Sequence, residues 1–456
     1  MRVAVVGAGP AGTRAVEVLV RAGHRPVWID EAPANGGRIY QRPVAGTTRS
    51  ARDLYGTEAA KAKAIHALGD RLRAASDWRP ETLVWNLRPG LLDTFSAGRH
   101  EAIRAERVIL CTGAMDRILP VPGWTLPGVF TLGGAQIALK AHGVAIGARV
   151  AFLGTGPLLW LVATQYLDAG VAVALVLDTT PFRTKARAAA GLLAEPATFG
   201  KGLALVARLR LAGVRVIEGG APVAIEGADA VASVRVRDRA GREHAVACDA
   251  VGLGFGLKPE SQLADLAGAP FRFEPTQRNW VPEHDGTGRT PASGIYVAGD
   301  GAGIAGADAA ELAGARAAWA AIADAGGRVE AAEVARLDRG LARLPPFRAA
   351  LERAFPYPAA LAARTPDGTI VCRCEAVTAG ELREAARASH VTGGAHEVNR
   401  AKAFTRVGMG RCQGRLCGPP AAEILAAALG CGIAEVGRLR GQPPVKPIPI
   451  PAEAAA

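Results

Sequence analysis

Apolar residues in this chain come in short unbroken runs that stop at glycines. Residues 2–12 read RVAVVGAGPAG, a run of Val and Ala that ends in Gly7-x-Gly9-x-x-Gly12. Such a run predicts a buried strand, and the apolar residues 13–22 that follow predict a helix. A second strand is expected at 26–29, ending at Asp30-Glu31. The pattern then returns. Residues 149–159 read RVAFLGTGPLL, a helical stretch runs to 169, and an apolar run at 171–177 ends at Asp178. Farther on, ERVILCTG (106–113) is matched by CDAVGLGFG (248–256), each a buried run entering a glycine turn. Residues 290–300, TPASGIYVAGD, predict one more short strand, followed by GAGIAG and an Ala-rich helix from Ala307.

Two copies of one strand–turn–helix–strand unit predict an α/β fold with two Rossmann-like dinucleotide-binding domains. The late strand before Asp300 belongs with the first copy, so that domain is expected to be discontinuous, 1–118 and 288–340. The second copy spans 119–287. Pro345, Pro346, Pro356 and Pro358 mark residues 341–364 as a linker. A small helical domain is expected at 365–435, and a proline-rich extended tail at 436–456, lying on a surface of a partner or disordered.

The length of 456 residues agrees with about three domains at about 150 residues each. With 49% hydrophobic and 21% charged residues the chain can bury cores, which excludes global disorder. The net charge of +12 comes from arginines spread along the chain and interleaved with acids. Without a basic run, nucleic-acid binding is not expected, and docking to an acidic protein partner is the narrower reading. Residues 150–167 carry no charge, but Gly154-Thr155-Gly156-Pro157 interrupts them, so no membrane-spanning helix is expected. Seven cysteines are too few for a disulfide scaffold, and their odd number fits a reducing compartment. The expected location is the cytoplasm, with any association at the inner face of the membrane made through partners.

The first glycine turn carries specific chemistry. Gly7 permits the tight turn, Gly9 lets the backbone approach a pyrophosphate, and Gly12 lets the helix pack close to the strand. Pro10 and Ala11 open the helix, whose free N–H groups face the phosphates. Asp30 is placed to accept ribose hydroxyls. In the second copy Gly154 and Gly156 are present, but Leu159 stands where the third glycine belongs. Asp178 there is a candidate ribose acceptor, which would favour NAD(H), although Arg183 and Lys185 lie close; another adenine nucleotide or an empty structural copy are the alternatives. Asp300, beside backbone that can approach closely at Gly301, suits a polyol chain.

Four cysteines gather near the C-terminus. TIVCRCE places Cys372 and Cys374 two apart, and GMGRCQGRLCGP places Cys412 and Cys417 five apart. Thr378-x-x-Glu381 predicts a capping box after the first pair, and Pro419-Pro420 suits the first turn of a helix after the second. Helix N-termini favour thiolates. Four such thiolates can bind zinc or a [2Fe-2S] cluster, or be structural; the spacing is not the usual C-x2-C pair of structural zinc sites. No C-x-x-C or C-x4-C follows Gly36-Gly37, and the second domain holds only Cys248, so dithiol reductase chemistry is excluded.

These segments resemble the FAD-dependent pyridine nucleotide-disulfide oxidoreductase superfamily. By that resemblance Gly7, Gly9, Pro10, Ala11, Gly12, Asp30, Glu31, Asp300 and Gly301 are FAD-binding, and Gly37, Arg38, Thr112 and Gly113 line the cofactor. The cysteine spacing resembles the bacterioferritin-associated-ferredoxin-like [2Fe-2S] domain, which implies Cys372, Cys374, Cys412 and Cys417 as cluster ligands. Residues 30–42 (DEAPANGGRIYQR), 119–131 (LPVPGWTLPGVFT), GMGRCQGRLC and the tail PPVKPIPIP further resemble alpha subunits of the opine oxidase, hydroxyproline and proline dehydrogenase, and hydrogen cyanide synthase group. That resemblance implies an FAD and [2Fe-2S] electron-transfer subunit. Its partners would be an FAD-containing beta subunit that oxidises the amino or imino acid and a small ferredoxin-like subunit. Arg38 departs from the Gln usual there and places a positive charge expected near the flavin. A stand-alone NAD(P)H-dependent reductase and a regulatory iron–sulfur or zinc module on an inactive flavoprotein are the alternative readings.

Overall fold

The computed structural model describes residues 1–391 and 396–449, with side chains omitted for 389–391. Two five-stranded parallel sheets form its two α/β units. The first has the order Ile295–Val297, Arg107–Leu110, Val3–Val6, Val27–Ile29, Asp77–Arg79. Its strands are Val- and Ile-rich and buried on both faces, as parallel sheets require. The strand expected from residues 290–300 enters this sheet at its edge, next to Arg107–Leu110, which makes the first unit discontinuous in sequence.

The second sheet has the order Val216–Glu218, Ala172–Asp178, Arg149–Thr155, Ala250–Phe255, Val129–Thr131. Each unit carries a three-stranded antiparallel sheet ahead of a central strand: Leu83–Arg88, Leu91–Ser96 and Arg99–Arg104 in the first, and Ala221–Glu226, Ser233–Arg237 and Glu243–Ala247 in the second. The units are joined by a short antiparallel pair, Ala114–Asp116 with Leu257–Pro259.

In the first unit the helices Pro10–Arg21 and Ala307–Asp324 pack closely. A Cβ at Gly314 would lie 2.0 Å from the Ala11 carbonyl oxygen, so only glycine permits this crossing. Trp28, Trp319 and a row of alanines fill the core beneath.

Residues 341–364 are not an open linker. Leu344–Ala354 is a helix with Pro345 and Pro346 in its first turn, where a missing N–H costs nothing. Its Phe347, Ala350 and Ala354 pack on Ala188 and Leu192 of the helix Phe182–Leu192. The proline cluster therefore starts a helix that braces the second unit.

The C-terminal unit has its own core of Val371, Leu382, Val398, Ile424 and Leu425. It contains the strand pair Ile370–Cys372 and Val377–Thr378 and the helices Ala379–Val391, Val398–Thr405 and Gly418–Leu429. The tail returns to its own chain. Val445 is buried in the core of the first unit and donates its N–H to the Trp85 carbonyl at 3.0 Å. Residues 450–456 lie outside the described residues. No helix among the described residues is long and apolar enough to cross a membrane.

Candidate cofactor sites

The first site is assembled by strand register. Val6 pairs with both Ile29 and Leu110, and Leu110 pairs with Val297, so these four residues form one row across the sheet. The residues that follow them, Gly7, Asp30, Cys111-Thr112 and Ala298-Gly299-Asp300, therefore leave the sheet side by side at its carboxyl edge. In open α/β sheets that edge is where ligands bind. Four segments separated by up to about 290 residues of sequence meet there because parallel pairing aligns their ends.

The glycine turn has the closeness its sequence demands. A Cβ at Gly12 would lie 1.8 Å from the Gly7 carbonyl oxygen, and Gly7 has φ near +109°. The Gly36-Gly37 turn lies against the same loop. The Gly36 N–H donates to the Ala8 carbonyl at 2.8 Å, and a Cβ at Gly37 would be 2.7 Å from the Gly9 Cα. Gly9 caps the helix without a side-chain hydrogen bond, so the first turn keeps its N–H groups for an anion. This bare, close-packed cradle fits a pyrophosphate.

Asp30 is held by the turn itself. One carboxylate oxygen accepts the Ala8 N–H and the other the Ala32 N–H, the latter at 2.7 Å. Burial raises its pKa, while these N–H bonds and the Arg38 charge oppose the rise. Arg38 is exposed, its guanidinium bonds the Gln41 side chain at 3.5 Å, and its charge is felt at Asp30. Glu31 is exposed and pairs with Lys446 of the tail.

Asp300 uses one oxygen to accept the N–H groups of Ala305 and Gly306, at 2.8 and 2.7 Å, leaving the second for a ligand. A Cβ at Gly301 would lie 2.7 Å from the Thr112 hydroxyl, so Thr112-Gly113 and Asp300-Gly301 form one wall. A cavity of about 460 Å³ adjoins the loop, bordered by Gly299, Ala302, Ile304, Gln277, Arg348 and Glu352.

The second copy is built differently. Gly154 is demanded by the sheet, since a Cβ there would lie 1.8 Å from the Gly254 carbonyl oxygen of the next strand. Leu159 is fully buried among Phe152, Trp160 and Tyr166. Asp178 has no exposed surface. Its oxygens accept the Thr180 N–H and the Lys185 ammonium, both at 2.9 Å. Lys185 also pairs with Glu218, which register places beside Asp178, and lies over the Trp160 and Phe355 rings. Asp178, expected as a ribose acceptor, is thus enclosed here and paired with Lys185, which itself lies over the Phe355 ring at the end of the bracing helix.

The four C-terminal cysteines converge. Cys417 shares sulfur hydrogen bonds with both Cys372 and Cys412, and Cys412 with Cys374. Backbone N–H groups of Gly408 and Glu375 point at the Cys372 sulfur, and those of Gly414 and Leu416 at Cys412. These contacts pull the Cys412 thiol down to about 5 and Cys372 to about 6. Cys417 and Cys374 are raised, Cys417 mainly because its S–H donates hydrogen bonds to Cys372 and Cys412, which holds the proton on it, and Cys374 mainly by burial. Outside the group, burial pushes Cys111 up to about 12 and Cys248 to about 11.

Both flanking helices begin as expected. Thr378 and Glu381 form the capping box, and Cys417 is the N-cap of Gly418–Leu429. A Cβ at Gly410 would lie 2.3 Å from the Cys374 Cβ, so the two cysteine loops touch. Among the described residues no three His, Cys, Asp or Glu side chains are arranged around one metal ion. A sulfur set linked in a chain, with backbone donors at the thiolates, fits the terminal ligands of a two-iron cluster.

Sequence reasoning missed the residues that tie these sites together. Glu260 donates its N–H to the Gly113 carbonyl at 2.9 Å and accepts the Thr112 hydroxyl on its own carbonyl. Glu423, on the helix begun by Cys417, pairs with buried Arg117 at 3.4 Å and with Arg278 at 2.7 Å. Only the position of Arg415 inside the C-x4-C loop was a signal in the sequence.

Residues 1–325 match the pyridine nucleotide-disulphide oxidoreductase family, and residues 370–427 match the BFD-like [2Fe-2S] binding domain. An opine oxidase subunit from Rhizobium meliloti is 38% identical, over 98% of this chain and 86% of its own length. The HcnB subunit of hydrogen cyanide synthase from Pseudomonas aeruginosa is 32% identical, over 99% and 98%. The crystal structure of L-proline dehydrogenase from P. horikoshii shares the fold with a TM-score of 0.72 at 20% identity, over 98% of this chain and 78% of that one. The T. acidophilum thioredoxin reductase matches with 0.53 at 20% identity, over 71% and 98%. The paired sheets, the glycine cradle and the cysteine group, together with these matches along the whole chain, place it in the pyridine nucleotide-disulphide oxidoreductase family with a BFD-like [2Fe-2S] domain, in the group that holds HcnB and the opine oxidase relative.

Proposed function

We propose that this chain is the FAD- and [2Fe-2S]-containing electron-transfer subunit of a heteromeric amino-acid or opine dehydrogenase, working with a separate flavoprotein subunit that oxidises the substrate. The observation that carries this reading is the joining of an open glycine cradle to a four-cysteine group without a redox dithiol between them. When bound, the flavin supplies two-electron chemistry and the cluster passes electrons singly.

The chain's own residues bind and orient. The free N–H groups after Gly9 hold the pyrophosphate, Asp30 faces the adenosine ribose, and the free oxygen of Asp300 faces the ribityl chain. Cys372, Cys374, Cys412 and Cys417 hold the irons, and the backbone N–H groups at Cys372 and Cys412 stabilise thiolate charge. The second unit acts as a brace. The closed Asp178–Lys185 pair supports this over use of NAD(H) or another adenine nucleotide there, and so over a stand-alone NAD(P)H reductase. In the relatives' names opine oxidase and hydrogen cyanide synthase appear as subunits, which supports a heteromer and an activity on CH–NH bonds.

Affinity purification from the native cell with cofactor analysis tests the proposal. The expected result is co-purification of a second flavoprotein, with FAD and two irons per copy of this chain. Recovery of the chain alone, with its flavin bleached rapidly by NADH, overturns it.

A further inference from the structure

The sequence between Gly256 and the helix Gln262–Leu266 carries no recognisable motif, yet it touches both cofactor sites. The Glu260 main chain is bonded to Thr112 and Gly113, and its carbonyl oxygen would lie 3.4 Å from a Cβ at Gly301, within the wall that carries Asp300. The Glu260 side chain points the other way. Its carboxylate receives Arg415 in a fork, Nε at 2.7 Å and Nη2 at 3.2 Å. The Arg415 side chain is only 8% exposed. It lies between Cys412 and Cys417 in sequence and bonds the Cys412 carbonyl at 3.5 Å and the Val445 carbonyl of the tail. Two residues on, the Gln262 side-chain amide donates to the Gln413 carbonyl in the same loop at 2.7 Å. Lys258, on the strand that joins the two α/β units, lies within electrostatic reach of Cys412, Cys417, Glu260 and Arg415.

We propose that the Glu260–Arg415 pair is a positioning element that docks the iron–sulfur loop on the flavin wall and sets the cluster's reduction potential. The proposal rests on the cofactor reading above. A fork between a guanidinium and a carboxylate fixes direction as well as distance, which a single contact between mobile loops does not. Four thiolates make a [2Fe-2S] centre anionic, and accepting one electron makes it more so. A fixed cation beside the sulfurs therefore favours the reduced form, while a fixed anion opposes it. With both groups bound, each electron taken from the flavin would reduce the cluster by one and pass on to a one-electron acceptor, and a fully reduced flavin would need two such passes. The pair influences how far that transfer runs, through Arg415, and keeps the two sites in fixed relation, through Glu260.

The test uses full-length chain carrying Arg415→Gln, Glu260→Gln or Arg415→Lys. Two readouts are potentiometric titration of the cluster followed by electron paramagnetic resonance, and amide exchange across residues 408–418. Arg415→Gln is expected to make cluster reduction about tenfold less favourable, about 59 mV for a one-electron couple. Glu260→Gln is expected to shift it the opposite way, because it removes the anion and leaves the cation. Arg415→Lys is expected to restore most of the potential, and exchange in the loop should quicken in both Gln variants. Shifts of the same sign in both Gln variants, or unchanged potential and exchange, overturn the proposal. If the unmodified chain proves to hold neither flavin nor iron, the function reading fails. In that case exchange in the unloaded chain still decides whether the pair docks the loop.

Discussion

The two α/β units start from eleven-residue segments that share six residues, RVAVVGAGPAG and RVAFLGTGPLL, and line their turns differently. In the first, the third glycine brings the helix against the strand, and the acid after the second strand remains at the ligand edge. In the second, Leu159 fills the core at that place, and the corresponding acid is buried and paired with Lys185, which lies over the Phe355 ring. The repeat thus keeps one architecture while a leucine, a lysine and a neighbouring helix give the second copy a different lining. Glycines do not by themselves make a site. Gly154 is required by its neighbouring strand and would be needed with no ligand present.

The largest effect should come from exchanging the distinguishing residues. Gly12→Leu puts side-chain atoms where the Gly7 carbonyl already stands, and loss of FAD from the purified protein is expected. Leu159→Ala should leave FAD content unchanged and cost about 2–5 kcal/mol in denaturant unfolding, as buried leucines do. Loss of flavin from the Leu159 variant would break the comparison.

Next in size are the lysines paired with Glu31 in the first unit and with Asp178 in the second. Lys185→Met leaves Asp178 buried without its cation, and about 3–5 kcal/mol of destabilisation is expected, since Asp178 is 0% and Lys185 15% exposed. Lys446→Met removes the partly exposed partner of Glu31 in the first unit and should cost about 0–1 kcal/mol. Equal losses in thermal unfolding would show that the second acid is not enclosed. A smaller change is expected for Asp300→Ala, which frees the Ala305 and Gly306 N–H groups and removes the polyol acceptor. Its FAD affinity should fall by about tenfold to hundredfold, the weight of one or two charge-assisted hydrogen bonds. Titration of the stripped protein with FAD measures it.

The smallest effect concerns the helix laid beside both units. Burial pushes Glu352 up to about 7 from an ordinary value of 4.5, against the pull of Arg348 and Arg117 and with a push from Glu274. The folded state therefore holds a proton that the unfolded chain releases. This contribution to stability is complete below about pH 4.5 and is lost as pH rises through about 7. Glu352→Gln should flatten the fall in stability across that window. An unchanged slope in urea titrations at pH 5 and pH 8 would contradict it.

Much of this was legible beforehand because the signals are local. Glycine offsets, buried apolar runs and the Thr378–Glu381 box depend on residues a few positions apart, and each lies where the pattern puts it. The proline cluster misled because Pro345 and Pro346 serve equally at the first turn of a helix and in an extended linker. The apolar face of Phe347, Ala350 and Ala354 decides between these only once Ala188 and Leu192 are known to lie opposite. The pairing of Asp178 was hidden for a related reason. Its distance along the chain from the glycine turn is right for a ribose acceptor, but Lys185 and Glu218 reach it through a helix and a parallel strand pairing.

The sequence by itself determined the two nucleotide-type units, the glycine turns of the first and the cysteine loops of the third, since backbone sterics and thiolate chemistry need only near neighbours. Tertiary structure decided how deeply Asp178 is enclosed, where the tail lies, and that Glu260 faces the Thr112–Asp300 wall with its main chain and the cysteine loop with its side chain. The tail and Glu260 contacts span more than a hundred residues, where no spacing rule links one residue to its partner. Only the shared burial of one fold brings Arg415 to Glu260.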